Sequence, residues 1–377
     1  MSTNTTPEDD NQGEDLDAGA AAGASPDSGA AEDPAIDRPF GGENRLRLIS
    51  EYLDLDTTEE RWRSVYRLLL WTDRTTGLAH CYESDKSQPG RPWYARSLRF
   101  HKWLADALGS TPADVGGEID WLFQRVAEDY AKELVRRLNA QQARAKSQLA
   151  PYAGLDFPMP GTDPDIVDVI KDVLAAKLSE PPTEDEWRTL SLRVREVVAL
   201  ENKRRNMVGE GFEDLLCTIV RRFDTSGQLD ATARAALGAV PGFRDARQGG
   251  KPIKVDMAVY RKLDRQRTMV TSKWSIRADR ERQFTSDLAD YIDNNAWNTP
   301  FAYVLVTNEF DPARLCRACE QISGNSKVFS SIVHIAPDAI RETYGPSPKT
   351  ERMRQAISYI DTGRIVGLDS WLKSLLP

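Results

Sequence analysis

The sequence predicts an α/β protein in which a mixed sheet flanked by helices follows a mainly helical N-terminal region. Two patterns carry this expectation. Ile253, Val255, Met257 and Val259 recur at every second position, and after the turn-forming Leu263-Asp-Arg-Gln266 the run Arg267 to Lys273 reads as a second strand, as in a β-hairpin. After residue 280, strand-like and helix-like segments alternate, which is the order expected of a sheet covered by helices.

The first 44 of the 377 residues hold eleven Asp or Glu against Arg38 alone, a net charge of −10. So polar a segment buries too little apolar surface to offset its chain entropy, and residues 1–44 are expected to be a disordered, solubilising tail. Because the whole chain carries −8, residues 45–377 are left with +2. Basic residues concentrate at 244–282 and at Lys203-Arg-Arg205. The tail has neither the basic start nor the apolar core of a signal peptide, and no later stretch is long enough to cross a membrane. A cytoplasmic protein without a membrane partner or a nucleotide cofactor is expected.

Residues 46–70 read as one helix, with Leu48, Leu53, Leu55, Trp62, Val65, Leu68 and Leu69 as its apolar positions. Residues 77–92 read as loop. The stretch 91–103 mixes aromatics with bases and leads into a helix whose Leu98, Trp103 and Leu104 are expected in the core; Arg96 and Arg99 are candidate phosphate contacts. Residues 119–145 form an amphipathic helix through Leu122, Val126, Tyr130, Leu134 and Leu138. A connector rich in Pro and Gly follows at 151–164, then a helix at 165–178. Thr183-Glu-Asp-Glu186 is a capping-box start for a long helix through Arg205. The expected boundaries are therefore a tail at 1–44, a helical domain at 45–182 and a sheet-bearing domain at 183–377. In the last of these, helices are expected at 281–294, 312–322, 337–344, 351–360 and 368–375, and strands at 301–307 and 328–335.

Four cysteines suggest no disulfide framework in a chain of this length. Cys316 and Cys319 have zinc-like spacing but no second pair, and they fall in a helical pattern. His80, His101 and His334 are scattered, so no histidine metal site or Ser-His-Asp set is apparent.

Chemistry concentrates on the hairpin. Asp256 lies on the face opposite Ile253, Val255, Met257 and Val259, while Thr271 and Lys273 share one face of the second strand. Pairing of the two strands lets Asp256 meet Lys273. A carboxylate beside an ammonium can hold a divalent cation and polarise a water. A helical stripe of Phe212, Leu215, Leu216 and Ile219 brings Glu213 alongside, and Glu210 competes with it. Asp287, on the following helix, is a fourth acid. Arg277, Asp279 and Arg280 come just after Lys273. An arginine fork can bind guanine O6 and N7, and an aspartate can accept from cytosine N4. The bland alternative is a surface ion-pair cluster with Asp279 as a helix N-cap. Trp274 and Ser275 are expected to shape the loop.

Glu, Asp, then Thr-x-Lys in this order resembles the PD-(D/E)xK nucleases. The Thr271-x-Lys273 and Arg277-Ala-Asp279-Arg280 spacing further resembles the CCGG-cutting type II restriction endonucleases, the NgoMIV-like and BsaWI-like enzymes. The likeness covers roughly residues 210–308, and its match around Phe212 favours Glu213 over Glu210. It departs from the family at Val255, where proline often stands, and at Asp287, usually Glu. The resemblance implies a PD-(D/E)xK restriction-endonuclease-like fold, with Asp256, Lys273, Glu213 and Thr271 as catalytic residues. It implies Mg2+ held by Asp256, Glu213 and Asp287, and base reading by Arg277, Asp279 and Arg280. The partners implied are double-stranded DNA with a palindromic CCGG core and a second protomer, in a homodimer or higher symmetric oligomer. Two other readings stand beside it: a nuclease of the same superfamily acting in repair or on modified DNA, and a non-catalytic DNA-binding protein.

Overall fold

The computed structural model describes residues 36, 38–73, 78–79, 88–155, 168, 182–248, 251–277 and 280–376. Most of the expected tail, almost all of the expected helix at 165–178 and most of the loop at 77–92 lie outside them; the tail expectation is corrected at its end, where residues 42–44 open the first helix and Asn44 is buried, its side-chain amide donating to the Pro39 carbonyl at 2.9 Å. The helices are α1 (Gly42–Leu55), α2 (Arg61–Leu69), α3 (Tyr94–Leu108), α4 (Pro112–Glu118), α5 (Trp121–Leu149) and α6 (Glu184–Phe223). Three strands follow, β1 (Leu229–Ala236), β2 (Lys254–Arg261) and β3 (Gln266–Lys273). The chain continues through α7 (Arg280–Asp293), β4 (Ala302–Thr307), α8 (Pro312–Glu320) and β5 (Ser331–His334). It ends with α9 (Pro337–Tyr344), α10 (Glu351–Asp361), β6 (Ile365–Gly367) and α11 (Leu368–Ser374). No helix among the described residues is long and apolar enough to cross a membrane.

Residues 36–130 and 204–377 form one compact unit, and 131–203 belong to another. The boundary expected at 182/183 therefore does not match the division in space. Residues 45–130 pack with the sheet: Tyr66 Oη donates to Asn308 Oδ1 at 2.8 Å, and Asp369 accepts from the Arg61 amide at 2.8 Å. In the unit of 131–203, Glu133 grips Arg136 and Arg137 at 2.6 and 2.7 Å. The capping box is present there: Thr183 Oγ1 accepts from the Glu186 amide at 3.3 Å, and Glu186 accepts from the Thr183 amide at 2.7 Å.

The central sheet has six strands in the order β6-β5-β4-β3-β2-β1. β1, β2 and β3 are antiparallel neighbours; β3, β4, β5 and β6 are parallel. Parallel neighbours need a crossover, and α7, α8 and the α9–α10 pair lie within the successive connections. The core of this unit joins Val255, Met269, Leu305 and Ile332 of the strands to Phe284, Leu288 and Tyr291 of α7.

Three expectations are corrected. Residues 46–70 are two helices, because Asp56 ends the first and its carboxylate accepts from the Thr58 amide at 3.0 Å and from Ser64 Oγ at 2.5 Å. Leu98 is 42% exposed and so is not a core residue; Phe100, His101, Leu104 and Leu108 bury the inner face of α3. The helix expected to stop at Arg205 runs on to Phe223. Gly211 does not break it: a Cβ there would lie 3.3 Å from Leu69 Cδ2 and 3.7 Å from Leu122 Cδ2. This glycine allows close approach of packed side chains.

Candidate active site

The sheet forks at Asp256. β2 and β3 are bridged from Met257↔Val270 to Arg261↔Gln266. Before Met257, β2 pairs only with β1, and beyond Val270, β3 pairs only with β4, up to Lys273↔Thr307. The Asp256 side chain takes over the bonding lost at the fork. Its Oδ2 accepts from the Ser272 amide at 3.0 Å, from Thr271 Oγ1 at 3.0 Å and from Lys273 Nζ at 2.7 Å. Both charged side chains keep some solvent access, 26% for Asp256 and 20% for Lys273.

Two further acids flank this pair. Glu213, on α6, is pushed up to about 7, first by burial and then by the charge of Asp256; Arg234 and Lys273 oppose the shift. Asp287, on α7, is pushed up to about 6 by burial, then by Asp256, with Lys273 opposing. Asp256 is thus the centre to which both respond. The expected competitor Glu210 turns elsewhere, pairing with Arg45 at 2.7 Å with 56% of its side chain exposed. The Tyr303 hydroxyl is buried close enough to Thr271 and Asp287 to feel both, yet its geometry completes no hydrogen bond.

Cations already partner two of these acids. Glu213 Oε2 accepts from Arg234 Nη1 at 2.9 Å, and Asp256 is committed to Lys273. No three His, Cys, Asp or Glu side chains among the described residues converge in metal-holding geometry. The chemistry of the donor set nevertheless suits a hard divalent cation. It is all oxygen, and Mg2+ keeps several waters and needs few carboxylates. Two acids held near one another at a burial cost are also the groups whose ionisation a cation stabilises.

The loop after Lys273 is described up to Arg277 and again from Arg280. Arg277 is exposed, Asp279 lies outside the described residues, and Arg280 begins α7 without a described side chain. What holds the loop was not legible in the sequence. Buried Glu309 accepts from the Ile276 amide at 2.7 Å and from Ser275 Oγ at 3.2 Å, while its other oxygen takes the Asp311 amide at 2.7 Å. Trp274 meets Phe212 edge-on at 5.3 Å and Tyr66 at 6.5 Å. Arg96 lies over the Trp93 ring at 5.0 Å, and Arg99 reaches the Tyr344 carbonyl at 3.5 Å. Cys316 and Cys319 are buried free thiols on α8, which fits their helical spacing.

Fold and site together define a mixed α/β sheet protein with a half-buried carboxylate–lysine cluster at a sheet fork. No family model and no curated protein matches the sequence. Among solved structures the chain is similar to the restriction endonuclease PspGI in complex with substrate DNA. That match has 9% identity and a TM-score of 0.36, and it covers 89% of this chain and 91% of that one.

Proposed function

We propose that this chain is a Mg2+-dependent type II restriction endonuclease that cuts double-stranded DNA at a palindromic site with a CCGG core. The observation that carries the reading is the Lys273–Asp256 contact of 2.7 Å at the fork, flanked by Glu213 and Asp287. Asp256, Glu213 and Asp287 would hold Mg2+, which when bound polarises the phosphate and lowers the pKa of an attacking water. Thr271 and the Ser272 amide fix Asp256. Lys273 stands where it can orient the water and stabilise charge gathering on the phosphorus. In-line displacement would leave a 5′-phosphate and a 3′-hydroxyl. Arg277, Asp279 and Arg280 would read C and G in the major groove; a bidentate pair discriminates by about 1–3 kcal/mol. A palindrome calls for two-fold docking, hence a homodimer or a larger symmetric assembly.

Digestion of unmethylated plasmid carrying several CCGG contexts, with Mg2+ and with EDTA, followed by end sequencing, tests this reading. Discrete Mg2+-dependent ends at CCGG sites are expected. Scattered ends would keep the nuclease and remove the base-reading role. No cutting by folded protein would leave a binding-only protein or one that needs modified DNA.

A further inference from the structure

Arg234 is placed where a strand should not tolerate it. Its φ is +50°, within β1; the other non-glycine residues of positive φ among those described, Asp120, Arg265 and Asn298, lie outside strands. A left-handed conformation is unfavourable for a side chain of this size and persists only where the surroundings impose it. The pairs Ala233↔Met257 and Ala235↔Val255 flank it, so Arg234 stands opposite Asp256 in register. Cross-strand neighbours ordinarily share a face. An arginine in regular strand geometry there would be offered to Asp256, the carboxylate that Lys273 and Thr271 use.

The residue is turned to α6 instead. Nη1 donates to Glu213 Oε2 at 2.9 Å and reaches the Glu210 carbonyl at 3.5 Å, while Nη2 bonds Asp214 Oδ1. Asp214 is fixed from its other side by Arg45 Nε at 3.0 Å. The guanidinium is thus braced by an acid that is itself buried and held, and Glu213 takes the remaining arm. Two arms with fixed geometry orient a carboxylate in a way a lysine does not.

We propose that Arg234 is the positioning residue of the site, its strained backbone directing the guanidinium away from Asp256 and onto Glu213 so that this carboxylate is held beside the fork. The inference rests on the metal-holding role proposed for Glu213. Arg234→Gly removes the guanidinium while suiting positive φ, so the chain is expected to fold; Arg234→Lys keeps the charge and loses the fork. Crystal structures of the full-length wild type and R234G would show the Glu213 carboxylate turned away from Asp256 in the variant. Mn2+ titration by calorimetry should give affinity about tenfold weaker for R234G, as for loss of a group that orients a ligand, with R234K in between. Glu213 unmoved in R234G overturns the proposal whatever the metal affinity. A wild type that binds no Mn2+ removes the metal role of Glu213, while the two crystal structures still decide whether Arg234 positions it.

Discussion

At the scale of single residues, one oxygen, Asp256 Oδ2, collects three donors where the sheet opens. Two of them, Thr271 Oγ1 and the Ser272 amide, are neutral and fix the carboxylate; the third, Lys273, adds the charge. Lys273→Ala therefore removes the ammonium without removing the clamp. Under the proposed function, cleavage should fall by about 10²–10⁴-fold, the range for a lost general acid–base or charge-stabilising group. Plasmid cleavage and filter binding are to be compared. Binding should survive, and cleavage at the wild-type rate would sink the role given to Lys273.

At the scale of elements, β3 is pinned at both ends. Its far end is held by Asp256. Its near end is held by Arg267, which is fully buried and lies between Phe243 and Trp297 at 4.9 and 5.1 Å. This guanidinium donates to Asn295 Oδ1 at 2.8 Å, to the Thr299 carbonyl at 2.7 Å and to the Gly242 carbonyl at 3.3 Å. Gly242 has φ +84°, and a Cβ there would sit 2.4 Å from the Trp297 ring and 2.7 Å from Arg267 Nη1. Gly242→Ala meets both a backbone it cannot adopt comfortably and a clash with a packed ring. Destabilisation of about 3 kcal/mol is expected from strain and overpacking together. Urea unfolding measures it; a midpoint equal to wild type would mean that the loop is not held as described.

At the scale of the whole molecule, stability and site chemistry oppose each other. Glu213 keeps its proton up to about 7 in the folded chain against an ordinary value of 4.5. The folded state then binds more protons than the unfolded one between these values, so this group's contribution to stability falls as pH rises through that window. His334 acts in the reverse sense: burial lowers it to about 4, which favours the folded state as pH rises towards 6.5. The difference between Glu213→Gln and wild type cancels the histidine. The variant should match wild type near pH 4 and exceed it above pH 7 by on the order of 3 kcal/mol in metal-free buffer. Thermal or urea melts at the two pH values read this directly, and a pH-independent difference would refute it. Under the proposed function Mg2+ binds the ionised acid, so added Mg2+ should narrow the gap above pH 7.

The pieces readable from the chain were those set by near neighbours. The period-two run at 253–260, the short turn after it and the strand-like run at 267–273 placed Asp256 and Lys273 on one hairpin, and the stripe Phe212, Leu215, Leu216 and Ile219 placed Glu213 on a helix. The later helices also followed from local spacing, and the structure adds the caps Asp311 and Thr350 at two of their starts. Other features needed the folded chain. β1 is an alanine-rich strand, Leu229–Ala236, whose weak intrinsic preference is overridden by pairing along β2. The continuation of α6 through Gly209 and Gly211 depends on what packs against it. The fork of the sheet, the grip of Glu309 on the loop and the left-handed turn of Arg234 each depend on groups remote in sequence. Local periodicity fixes which face a side chain takes, but burial, charge and strain are set by whatever the rest of the fold brings against that face.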